Sequence, residues 1–302
     1  LIVAGARIDG TDSIDSIRWG GVMFTTTVFR ARTSRAAMSA CAVLLLGVPA
    51  IVNAQARPAQ PAAGAPPPVQ QGALAPANLA KPRPKAPFDL TGTWQHDGRF
   101  STWKFIPETF KLTPQAQVHY DAGVKALKDG GVYRDDIGQC WPSGMPLIMT
   151  RVWPIAMIQL PTAIYMISAF ENSIRIIYLD GRKHTPADEV VRSFDGESIG
   201  RWEGDALIVD TMYFPGHHHW MDQGGASIPV SEDMHMTERF RMINNGAALE
   251  VDYTMTDPKN WDGEWKFTKR FGRKDDVDIT EVECLPNLNE HLPATTSKLS
   301  IH

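Results

Sequence analysis

Apolar positions in this chain recur mostly at every second residue. From residue 88 onward they do so in short runs broken by Gly, Asn and Asp, a pattern of hairpins rather than helices. Three pairs of runs can be set in register from their turns. Residues 164–170 and 173–179 flank Glu171-Asn172, and a two-residue turn there sets Tyr165 opposite Tyr178 and Ile167 opposite Ile176. Residues 198–203 and 206–214 flank Gly204-Asp205, which sets Trp202 opposite Leu207. Residues 234–244 and 247–256 flank Asn245-Gly246, the pair favoured in type I′ turns. In that hairpin Arg241 meets Glu250 and Arg239 meets Asp252 on one face, while Phe240 meets Val251 and Met242 meets Leu249 on the other. One register therefore satisfies both faces.

Runs at 88–94, 265–271 and 277–284 read as further strands, with Gly92 permitting close packing in the first. The exception to the alternation is 112–128. Thr113-Pro114 forms an N-cap and first-turn pair, and Ala116, Val118, Ala122, Ala126 and Leu127 follow, so this stretch reads as the one substantial helix. Residues 141–146, Trp-Pro-Ser-Gly-Met-Pro, form a turn-rich connection. Sequential antiparallel strands with a single helix predict a mainly β fold, a meander closing into a lipocalin-like barrel. A two-sheet β-sandwich is the alternative.

Ahead of residue 88 the alternation is absent. Arg30, Arg32 and Arg35 precede an apolar run from Ala36 to Val52, and Val52-Asn53-Ala54 supplies small residues at −3 and −1 of a cleavage site. This is the layout of a secretory signal peptide over 23–54, and Pro49 within a short core argues against a membrane anchor. Residues 1–22 are then expected to be upstream translated sequence. Residues 55–87 are rich in Ala, Pro and Gln and lack a period that would repay ordering entropy, so a disordered linker is expected there. A single domain over 88–290 and a flexible tail over 291–302 complete the organisation, with a periplasmic or secreted location.

Composition narrows the function classes. The 302 residues carry Lys+Arg 30 against Asp+Glu 34, a net charge of −4, which gives no electrostatic footprint for nucleic acid. Once the signal is removed no stable membrane insertion is expected. Only 3 Cys are present, excluding a disulfide-dense scaffold and a four-cysteine zinc site. Cys41 lies within the signal, and in an oxidising compartment the remaining pair, Cys140 and Cys284, is expected to bridge; two buried thiols are the alternative. There is no Gly-x-Gly-x-x-Gly opening a helix, no P-loop and no Gly-x-Ser-x-Gly elbow.

Asp180-Gly181-Arg182-Lys183-His184-Thr185-Pro186, the run from Ser198 through Arg201-Trp202-Glu203-Gly204-Asp205 to Val209-Asp210-Thr211, and Thr237-Glu238-Arg239-Phe240 are specific motifs. By them the chain resembles a family of uncharacterised exported bacterial proteins from about Phe88 to Asn289, Cys140 and Cys284 included. The resemblance implies an exported location and this architecture, and carries no settled activity. Where the family pattern leads one to expect Pro-His-Ser-Glu, this chain has Pro229-Val230-Ser231-Glu232.

Three constellations carry candidate chemistry. His217 and His219 form a His-x-His pair that an extended segment would present on one face, and His235 from the next strand would complete a set for zinc, copper or non-haem iron. It is similar to the His-x-His element of cupin barrels, although the downstream Glu and Gly spacing does not match. A solvated His-rich loop is the alternative. Next, Glu238 shares a face with Met234, Met236, Phe240 and Met242, so desolvation would raise its pKa and suit it to general acid–base work. Tyr253 would be its hydrogen-bond partner and His184 an orienting or second acid–base group. The alternative is a structural carboxylate paired with Arg175 or Arg201. Third, Arg182 or Arg201 could clamp a substrate carboxylate.

With 9 Trp and 12 Met, a cavity lined by residues such as Trp202, Trp220 and Met236 would take a flat apolar or aromatic molecule. The residues thus favour a small-molecule ligand, with cofactor-independent lyase, isomerase or hydratase chemistry. The rivals are a non-catalytic binding protein and a His-dependent metalloenzyme. No cofactor is favoured, and a transition metal is the one candidate.

Overall fold

The structure, a computed structural model, describes residues 70–129, 140–221, 226–282 and 284. The expectations for 1–22, 23–54, the linker up to 69 and the tail 291–302 lie outside the described residues.

Nine strands close into a barrel among the described residues: β1 Gly92–His96, β2 Ile155–Gln159, β3 Ala163–Ser168, β4 Ile174–Tyr178, β5 Glu197–Glu203, β6 Ala206–Met212, β7 His235–Ile243, β8 Ala248–Thr256 and β9 Trp265–Arg273. Each strand pairs with the next in sequence, and β1 closes the ring by pairing with both β2 and β9. At this closure Gly92 has φ +147, and a Cβ there would lie 2.9 Å from Arg273 Nη2. The closed barrel, rather than a sandwich, leaves no open sheet edge to satisfy.

The two hairpins with strong turn signals form in the expected registers. Trp202 pairs with Leu207, and Arg241 pairs with Glu250, Arg239 with Asp252 and Phe240 with Val251. Asn244 at φ 52, Asn245 at φ 53 and Gly246 at φ 90 are left-handed in succession, the last two being the central pair of the turn. Alternation then decides the faces. Along β8, Leu249, Val251, Tyr253 and Met255 are buried, while Glu250, Asp252 and Thr254 between them are half-buried. The inward set, with Trp94, Met157, Met166, Ile177, Val209, Met236, Phe240 and Phe271, packs one continuous core.

α2, Pro114–Lys128, is capped as expected: Thr113 Oγ1 accepts from the Ala116 amide at 3.4 Å and Pro114 occupies the first turn. Cys140 and Cys284 form a disulfide, their Cα atoms 5.7 Å apart across 144 residues of sequence. Among the described residues no helix is long and apolar enough to cross a membrane.

Five features differ from the sequence-based expectation. The 164–179 hairpin is slipped by two residues: Tyr165 pairs with Ile176 and Ile167 with Ile174. The strands end at Ser168, whose amide donates to the Ser173 carbonyl at 2.9 Å, so four residues make the turn, with Glu171 at φ 57. A slip of two preserves the faces, which is why the alternation could not reveal it. β2 carries four consecutive apolar residues, Ile155 to Ile158, so residue type does not reveal the alternation of burial along it; Pro161 lies in the turn that joins it to β3. β4 and β5 pair in parallel, through Ile177 with Ser198 and Tyr178 with Ile199, so the meander is interrupted by a crossover of residues 179–196. Residues 277–282 form no strand. Finally, part of the stretch expected as linker is ordered: α1 Pro76–Leu79 forms one turn, and Ala73 and Asn78 are buried.

Candidate functional site

The chain places chemistry on the two faces of the same barrel wall. Inside, Arg175 and Glu238 are both fully buried. The guanidinium grips the carboxylate with both edges, Nη1 to Oε1 at 3.1 Å and Nη2 to Oε2. Nε donates to Ser198 Oγ at 3.0 Å, Nη2 to Thr211 Oγ1 at 2.9 Å, and Nη1 reaches Met166 Sδ at 3.7 Å. An arginine has five N–H groups, and all five are engaged here. Glu238 is therefore a paired carboxylate, and its partner is Arg175 rather than Arg201. Tyr253 lies directly across from Glu238 in register, but its buried hydroxyl makes no hydrogen bond. Burial holds that phenol well above its usual range.

His184 belongs to the other face. It sits on the crossover, with Nδ1 2.8 Å from Glu197 Oε2 and Nε2 2.8 Å from Asp210 Oδ1. Asp210 Oδ2 meets His235 Nε2 at 2.7 Å, and Glu197 also accepts from Thr185 N at 2.9 Å and Oγ1 at 2.5 Å. A carboxylate–imidazole–carboxylate–imidazole chain thus pins the crossover to β5, β6 and β7. The structure brings Glu238 to Tyr253 and separates both from His184, so the expected grouping of the three is not formed.

The pKa directions follow the contacts. The hydrogen bond to Asp210 raises His235, with burial opposing it and the Asp210 charge adding to it. For Asp210 burial acts upward, but the bonds from His235 and His184 outweigh it and the carboxyl is lowered; Glu197 is lowered likewise, burial being outweighed by Thr185 and His184. The raised His235 contributes stability in full below the ordinary histidine value and loses it as pH rises through its folded pKa. The lowered carboxyls contribute above their ordinary values and lose it as pH falls through their folded ones. The cluster is therefore most stabilising between about pH 4.5 and about pH 6.5. Urea midpoints across pH should show His235→Gln closest to wild type above that window and furthest below wild type within it. A constant offset at every pH would contradict this.

A cleft of about 340 Å³ opens beside this chain, on the outside of the barrel. The crossover forms one wall and β4 the other, because β4 and β5 share only two paired positions and diverge before them. Ile174, Ile176, Tyr178, Val190 and Val191 line it, with Ile174 and Val191 exposed at the rim. Asp195, Glu197 and Glu189 also line it. Gly196, at φ +66, carries the chain between Asp195 and Glu197; a Cβ there would lie 2.7 Å from the Met212 carbonyl oxygen. Asp195 Oδ2 accepts from Ser173 Oγ at 2.6 Å, whereas Oδ1 is shielded from solvent and has no partner among the described residues. Burial raises this carboxyl, against the pull of Ser173 and of the Arg175 charge.

The remaining sequence-derived candidates have separate surroundings. Arg182 is clasped by its own neighbour Asp180, at 2.9 and 2.7 Å, and lies 3.6 Å over the Tyr178 ring. Arg201 pairs with Glu203 at 2.6 Å on the surface. Trp202 packs edge-on to Phe88 at 5.1 Å, Trp220 bridges to Pro229, and Met236 is core. His217 is exposed, whereas His219 is buried between Phe194 and Phe214, its pKa pushed down to about 3 by burial. His235 is held by Asp210, so the expected three-histidine set is not assembled. Among the described residues no three His, Cys, Asp or Glu side chains form a group that could hold a metal ion. In the Pro229–Glu232 run Val230 is core and Ser231 is bound to buried Asp257.

The residues that sequence reasoning missed are Asp195, Glu197 and Asp210. Strand alternation gave a usable signal only for Asp210, which falls on the opposite face of β6 from Val209. No protein-family model matches the chain, and no curated protein matches it in sequence.

Proposed function

We propose that this is an exported protein that binds a small organic molecule of apolar or aromatic character in the cleft beneath the 179–196 crossover, outside the barrel wall. The observation that carries this reading is the cleft itself: about 340 Å³, within the range of small-molecule sites, with Ile174 and Val191 left exposed at its rim. The barrel interior suits a ligand less well, since the Trp and Met residues that could have lined a cavity there, Trp94, Met157, Met166 and Met236, are packed together as core. Binding without turnover is preferred to lyase, isomerase or hydratase chemistry because both oxygens of Glu238 are held by Arg175.

Export is supported by the positive and apolar runs before residue 55, by the Cys140–Cys284 disulfide and by the motifs through which the chain resembles exported bacterial proteins. Two of those motifs, at 180–186 and 198–211, supply His184 and Asp210 of the chain that holds the crossover over the cleft.

Amide chemical-shift mapping with indole tests the site. Perturbations are expected to cluster at residues 174–178 and 185–197, and Val190→Trp, which fills the cleft, should abolish them. Perturbations centred on the barrel interior, or none up to the solubility of indole, would overturn the reading.

A further inference from the structure

Charge around the cleft is not balanced. Among the described residues Arg175 is the only cation lining it, and every N–H of that guanidinium is already held by Glu238, Ser198, Thr211 and Met166, while Arg182, stacked on Tyr178, is clasped by Asp180. Glu197 is satisfied by His184 and Thr185. Asp195 has only the Ser173 hydroxyl, with Oδ1 unpartnered, and Glu189 adds a further negative charge at the rim. Buried carboxylates are normally matched by a cation or by hydrogen bonds to both oxygens. The Arg175 charge acts on Asp195 but is already matched by Glu238, so a cation entering the cleft would favour the ionised carboxylate, and the terminal torsion of an aspartate is soft enough for either oxygen to turn to it.

We propose that the ligand is an organic ammonium ion, its charge set against Asp195 and its apolar or aromatic body against Ile176, Tyr178 and Val190. This rests on the cleft being the binding site and adds the chemical class of what it takes. The geometry accounts for both parts of such a molecule. Apolar side chains left at the rim remove hydrocarbon from water on binding, and the ammonium meets a carboxylate with no cation of its own. A carboxylate ligand would instead meet Asp195 and Glu189 with no N–H of Arg175 available to it.

Three indoles of matching size separate the charge from the body: tryptamine, tryptophol and indole-3-propionate, titrated into full-length mature protein and followed by amide shifts. Tryptamine should bind at least about tenfold more tightly than tryptophol, indole-3-propionate most weakly, and the advantage of tryptamine should shrink as salt screens it. Asp195→Asn should bring tryptamine to the level of tryptophol, and an amide spectrum that matches wild type away from residues 174–197 shows that the variant is folded. Equal binding of tryptamine and tryptophol in the cleft, or indifference to Asp195→Asn, would overturn the ammonium inference and leave the cleft reading intact. Failure of all three to perturb residues 174–197 would overturn both.

Discussion

Arg175→Met is expected to destabilise the protein by about 3–5 kcal/mol, because it leaves the Glu238 carboxylate in the core with no cation beside it. Ser198 and Thr211 would keep one another at 3.0 Å, so the loss falls mainly on Glu238. Glu238→Leu alone should cost a similar amount by leaving Arg175 charged and buried. Combining them as Arg175→Met with Glu238→Leu should recover most of the loss, since buried ion pairs exchanged for hydrocarbon of like volume are often neutral or better. Urea unfolding of the four proteins gives the coupling directly. A single variant within about 1 kcal/mol of wild type would mean that the pair contributes far less than its burial requires. The cycle also bears on mechanism: a recovered double variant that still binds ligand removes Glu238 from the site's chemistry altogether.

Replacing both Cys140 and Cys284 with Ser is expected to cost about 5 kcal/mol, the loop-closure entropy returned to the unfolded chain when a bridge spanning 144 residues is opened. Reductant should move wild-type protein onto the unfolding curve of the double variant and leave that variant unmoved. Wild-type unfolding that does not respond to reductant would show that the bridge is not formed in the purified protein. Losses of this size are comparable to the whole stability of many domains, so either change should also lower the yield of folded material.

The outer face presents a contrast. Arg241 with Glu250 and Asp252, Arg270 with Glu250 and Arg239 with Asp205 form a ladder of ion pairs on partly exposed side chains. In water such pairs contribute little. The buried Lys269 differs again: its Nζ donates to the Thr102 and Lys104 carbonyls at 2.6 and 2.8 Å, and burial lowers its pKa to about 8. It ties the 102–104 segment to the barrel.

Local chemistry made much of the fold legible. Asn245-Gly246 and Gly204-Asp205 each demand particular backbone angles, and a turn pinned at those two residues sets the register of the flanking strands. The helix was equally readable, since Thr113 and Pro114 satisfy the orphan amides of its first turn within their own neighbourhood. Glu238 could be placed on an apolar face for the same reason, and so could its need for a cation. Which arginine answers that need was another matter. Arg175 alternates inward beside Ile177, but its approach to Glu238 depends on β4 lying against β5, and the crossover between them carries no turn that sets a register.

Sequence alone thus determined most of the strand pattern, the hairpin registers with strong turns, the helix and the apolar setting of Glu238, because each rests on interactions between residues close in the chain. The tertiary structure alone decided the parallel pairing of β4 with β5, the partner of Glu238, the clasp of His184 by Glu197 and Asp210, and the cleft with its unmatched Asp195. Each of these depends on segments separated by a connection whose path local propensity does not constrain, and a cleft exists only where two such segments fail to meet.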